Sequence, residues 1–188
     1  VAVTLSQLAQ VYAGQGKHVE AEPLYLQALK IYQSVHGETH ADVAATLNNL
    51  GVLHRIYGQY AEAEPLLVRA LAIKEQLLGG DHPDVALSAA NLGQLYVAQG
   101  QPAKAEPFYR RALSIRQKAL GSSHPEVAKT LEDLANVLRK LGRSQEAVAI
   151  DLQATAASGG ITMLVIVIAS IVELARGHSG APFTWLAA

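Results

Sequence analysis

The stretch His82–Ser123, HPDVALSAANLGQLYVAQGQPAKAEPFYRRALSIRQKALGSS, decides the fold because the chain contains it more than once. Shifted by 42 residues, its key letters fall on themselves. His40, His82 and His124 align, as do Val1, Val43, Val85 and Val127. So do Leu8, Leu50, Leu92 and Leu134, and Gly16, Gly58, Gly100 and Gly142. Ala21, Ala63, Ala105 and Ala147 continue the series, with Pro23, Pro65 and Pro107. A fixed period of this length is the signature of stacked supersecondary units, each too small to bury its apolar face alone.

Each unit reads as two antiparallel helices. In residues 1–39 the first half carries Leu5, Leu8, Val11 and Tyr12 at helical spacing, and Gly14 and Gly16 end it. The second half places Ala21, Leu24, Ala28, Leu29, Ile31 and Tyr32 on one apolar face. In residues 40–81 the helices are expected over about 41–57, with Leu47, Leu50, Leu53 and Ile56 apolar, and over about 60–78. Gly58 stands where a helix end needs positive φ. Residues 82–123 copy this pattern, and 124–157 begin as a fourth copy whose second helix, from about Ser144, degrades. Pro83 and Pro125 suit the first helical position, whose N–H has no helical partner. Pro23, Pro65 and Pro107 fall near the end of the second helix's first turn, where a lost N–H costs least and a local bend is expected. Gly51 and Gly93, with Ala9 and Ala135 in the same register, let two helices approach closely.

The formal net charge of -1 offers no basic surface for nucleic acid. The absence of cysteine excludes disulfides, thiol catalysis and cysteine-based zinc sites, and fits a reducing, cytoplasmic setting. Residue 1 is a valine already inside a repeat, so the 188 residues read as a piece of a longer protein. The histidines His40, His82 and His124 stand one repeat apart, about 10 Å by helix-packing distance. Zinc ligands converge to about 2 Å from one ion, so these three are read as caps before the first helices. No HExxH, phosphate-binding glycine loop or GxSxG elbow is present, and neither catalysis nor a cofactor is expected.

Residues 158–188 depart from the repeat. The run 161–172 carries no charge; counted back to Leu152, the uncharged stretch reaches 21 residues. Its strongly apolar part is about 18 Å long as a helix, against roughly 30 Å of hydrocarbon. A cap over the open end of the stack is the first reading; a membrane anchor through 161–175, or sequence foreign to the repeat, are the others.

Within the second repeat, Leu47, Leu50, Gly51, Gly58, Ala63, Leu67 and Ala70 occupy the hallmark spacing of the tetratricopeptide repeat. The wording of residues 41–86 and the 42-residue period, longer than the usual 34, resemble the repeats of kinesin light chains and their prokaryotic relatives. The resemblance covers about residues 1–155. It implies an all-α, right-handed superhelix of about four antiparallel helix pairs. It also implies a scaffold that binds an extended segment of a protein partner in a concave groove lined by the first helix of each repeat. The coiled-coil heptads of full-length kinesin light chains are absent from these residues, so a motor-cargo role is not implied. In prokaryotes similar arrays adjoin nucleotide-switch or protease domains, which makes a regulatory segment of a larger signalling enzyme one alternative. A membrane-tethered adaptor is the other.

Carried onto this sequence, the pattern places Ser6, Gln7 and Gln10 in the groove from the first repeat. The second contributes Asn48, Asn49, Val52 and Arg55, and the third Ala90, Asn91, Gln94 and Val97. Glu132, Asp133, Asn136 and Arg139 follow from the fourth. Asn49 and Asn91 recur in register although asparagine is a mediocre helix former. Their amides could clamp a peptide backbone, or bond a neighbouring helix or water. Glu132, Asp133, Arg139 and Lys140 make the last inner face charged, which would orient a peptide or simply be a solvated surface.

Overall fold

The computed structural model describes residues 1–159, and these form eight helices and no strand. They are α1 (Ala2–Gly14), α2 (His18–His36), α3 (Ala41–Ile56), α4 (Tyr60–Leu78), α5 (Pro83–Ala98), α6 (Pro102–Leu120), α7 (Pro125–Lys140) and α8 (Ser144–Ala157). Consecutive helices pack as hairpins, and each hairpin stacks on the next through α2–α3, α4–α5 and α6–α7. The result is an all-α, right-handed superhelix. No described helix is long and apolar enough to cross a membrane. The cap, anchor and foreign-sequence readings of the C-terminal segment, including 161–175, concern residues that lie outside the described ones from 160 onward.

Two kinds of glycine turn set the alternation. Gly58, at φ +77°, reverses the chain inside a hairpin, and Gly79, at φ +82°, reverses it between repeats. A side chain is disfavoured at both. The first helices then start on a histidine. The Nδ1 atoms of His40, His82 and His124 accept from the backbone N–H of Asp42, Asp84 and Glu126 at 3.2, 3.1 and 3.2 Å. Each satisfies one orphan donor of the first turn.

Close approach within a hairpin depends on the small residues. A Cβ built on Gly51 would stand 2.7 Å from Leu67 Cγ, and one on Gly93 2.9 Å from the Tyr109 ring. Around these crossings Leu47, Leu50, Leu53, Leu92, Leu95, Leu131, Leu134 and Leu138 are fully buried, as are Val43, Val85 and Val127. Each such leucine is worth about 1.5–3 kcal/mol of transfer free energy. Between repeats a recurring glutamate joins second helix to next repeat. Glu64 accepts from Tyr96 Oη at 2.9 Å, and Glu106 accepts from Arg143 Nη1 at 2.7 Å. In the same register, Glu22 lies 3.8 Å from His54 Nε2.

Three sequence expectations change. Leu8 and Val11 form no buried face: they are 41% and 53% exposed, although their counterparts Leu50 and Leu53 are sealed against Ala9, Ala21 and Tyr25. That face is covered by the preceding repeat, and no described helix precedes α1. Ile56, expected on the apolar face, is exposed at the last turn of α3. Pro23, Pro65 and Pro107 lie inside their helices at the sixth residue, beyond the first turn, so each removes a real i→i−4 bond.

Candidate inner-wall binding site

Two cavities open side by side between successive first helices. The first, of about 350 Å³, lies between α3 and α5. Its wall is Ala41, Asp42, Ala45, Asn48 and Asn49 on one side and Asp84 and Leu87 on the other, closed by Lys74, Leu77 and Leu78 at the end of α4. The second, of about 390 Å³, lies between α5 and α7, where Leu87, Ala90, Asn91 and Gln94 face Glu126, Lys129 and Asp133 across Arg116. Asp84 and Leu87 line both, which makes the pair one continuous trough. Another cavity, of about 250 Å³, lies against α8 and shares no residue with them.

The asparagines do not act as equals. Asn91 Nδ2 donates to Asn48 Oδ1 at 2.9 Å, and both side chains are buried. This bond ties α5 to α3 and holds the two walls of the first cavity together. Asn49 lines that cavity half-buried, with no side-chain hydrogen bond among the described residues. Gln94 is half-buried in the second. Arg55 is half-buried, and burial lowers its pKa while Tyr109 and Tyr60 oppose that shift. Its Nε has no hydrogen-bond partner among the described residues. Gln7 and Gln10 are exposed on α1, outside both cavities. Arg139 is held by Asn136, at 2.7 Å, and by Asp151, so this pair points to its own repeat. The trough therefore brings together Asn48, Asn49, Asn91 and Gln94, and leaves out Gln7, Gln10, Arg55, Asn136 and Arg139.

Two cations close the cavity floors. Lys74 and Arg116 stand 42 residues apart in register, only 9% and 8% exposed. Lys74 Nζ donates to the Asp84 carbonyl at 3.3 Å. Burial lowers its pKa, and Asp84 partly opposes this. Arg116 Nη1 donates to Thr130 Oγ1 at 2.5 Å, and its Nε lies 3.2 Å from Glu126 Oε2, close enough for charge attraction but off line for a hydrogen bond. Burial also raises the pKa of Asp133; Lys129 and Arg116 oppose the shift and Glu132 adds to it. Sequence reading missed the two cations, although a basic residue recurring in register on an otherwise apolar face was the signal.

The profile of the tetratricopeptide repeat matches residues 1–76, 57–118 and 98–158. The chain belongs to the tetratricopeptide repeat family. Such repeat scaffolds are generally non-catalytic and mediate protein–protein interaction. Among solved structures, this tetratricopeptide array is similar to BtubC (BKLC) from P. vanneervenii, with TM-score 0.79 and 27% identity over 97% of this chain and 67% of that one. It is also similar to nearly identical TPR-like repeats from Podosopora anserina, assigned to a kinesin light chain, with TM-score 0.75 and 29% identity over 83% and 74%. The Rap protein complexed with Competence and Sporulation Factor shares the fold, with TM-score 0.71 and 19% identity over 83% and 43%. Among curated proteins none matches the chain.

Proposed function

We propose that this array is a non-catalytic scaffold that captures an extended segment of a protein partner along the trough between α3, α5 and α7. The observation that carries the reading is the tandem arrangement of two cavities one repeat apart, sharing Leu87 and each bearing side-chain amides beside apolar wall. Repeats about 10 Å apart accommodate about three residues of an extended chain, which rises about 3.3 Å per residue. Leu77, Leu78 and Leu87 are 44%, 41% and 44% exposed and offer apolar contact to alternate side chains. Asn49 has both a donor and an acceptor to give a peptide backbone. The fold shared with the Rap protein is, in that structure, complexed with a factor.

A displayed library of random twelve-residue peptides, selected on the intact chain, tests this. Peptides so enriched should bind Asn49→Ala at least about tenfold more weakly, the loss of roughly one buried hydrogen bond to a ligand, while its helical circular dichroism stays unchanged. Undiminished affinity in a folded Asn49→Ala chain would remove the trough from the account. Asn91→Ala is the poorer probe, because it strands Asn48 Oδ1 and so perturbs the wall itself.

A further inference from the structure

Among the differences between the first inter-repeat junction and the later ones, one concerns ligand-bearing side chains. At every junction a capping histidine is followed two residues on by a carboxylate residue: His40 by Asp42, His82 by Asp84, His124 by Glu126. Only at the first does a third ligand-bearing side chain stand at the end of the preceding helix. His36 occupies the register held by Leu78 and Leu120 in the next two repeats. The rings of His36 and His40 are stacked with centroids 4.1 Å apart. One ligand atom from each of His36, His40 and Asp42 falls within 4.8 Å of the others.

From this arrangement we infer that His36, His40 and Asp42 form a site for a zinc-like divalent metal ion spanning the boundary between repeats one and two. His40 Nδ1 and Asp42 Oδ2 are 3.5 Å apart. Two ligands at about 2.1 Å from one tetrahedral ion stand about 3.4 Å apart, so this edge is already set. The ion replaces the amide hydrogen bond that His40 Nδ1 now accepts, and His36, exposed at the last residue of α2, turns out of the stack to bring its nitrogen onto the ion. Two imidazoles and one carboxylate favour zinc, nickel or copper over magnesium or calcium, which prefer all-oxygen shells. Three protein ligands leave a fourth position for water or a partner's group. The later junctions are internal controls: His82 and Asp84 keep the pair, with its atoms 4.0 Å apart, but have Leu78 where the third ligand would be.

The test is calorimetric titration of the tag-free 188-residue chain with zinc chloride. One ion per chain is expected, with magnesium failing to compete. His36→Leu, which installs the residue of the next two repeats, should weaken binding at least about tenfold, since even outer-shell partners are worth that much. His54→Tyr, matching Tyr12 and Tyr96 in register, removes a different histidine close to a carboxylate at this junction and should leave affinity unchanged. No saturable binding, equal affinity in His36→Leu, or loss on His54→Tyr instead would each overturn the assignment.

Discussion

Asp133 shows what a single residue of the trough costs the fold. Its carboxyl is half-buried among Lys129, Glu132 and Arg116, and burial raises its pKa above the ordinary aspartate value. A raised folded pKa means its favourable contribution is present in acid, below the unfolded value, and is lost as pH rises through the folded one. Asp133→Asn should therefore raise the urea midpoint at pH 7, with the gain shrinking towards zero as both chains are taken into acid. A gain that grows on acidification would show that the charge is stabilised where it stands. Asn48 and Asn91 show where sequence reading reached its limit. A 42-residue period pairs Asn49 with Asn91 by register, but the contact formed is between residues 43 apart. Which side chains meet across a stack depends on the rotation between repeats, and periodicity carries no information about that rotation. The same blindness hid His36 beside His40: comparison in register sets histidines one repeat apart and overlooks two that a loop folds together.

At the scale of the helix and the hairpin, the sequence was far more legible. The start of α3 and both ends of α4 fall where glycine, histidine and apolar spacing put them. These signals are local, and local geometry alone satisfies them. The interior prolines are the exception. All three stand at the sixth residue of α2, α4 and α6, past the first turn, although α4 itself starts where the spacing puts it. The hairpin crossing gives the sharpest expectation. Gly51 faces Leu67 with no room for a Cβ, so Gly51→Leu should destabilise the chain by at least about 1–3 kcal/mol through overpacking. Urea unfolding followed by circular dichroism reads this directly; an unshifted midpoint would mean that α3 and α4 are not in close contact there.

For the whole molecule, stacking in one direction is what turns separate hairpins into a wall. Each repeat buries its first helix on the repeat before it, as Leu50 and Leu53 do against Ala9, Ala21 and Tyr25. The cavities between α3, α5 and α7 then follow one another along one side, and Val68, exposed on α4, lines neither. Capture of a partner segment along that wall is the central claim. Its most direct test is site-specific photocrosslinking of a selected peptide to chains carrying benzoylphenylalanine at position 87 or at position 68. Capture in the trough requires efficient crosslinking from 87, where both cavities meet, and none above background from 68. Crosslinking from 68 and not from 87 would contradict it.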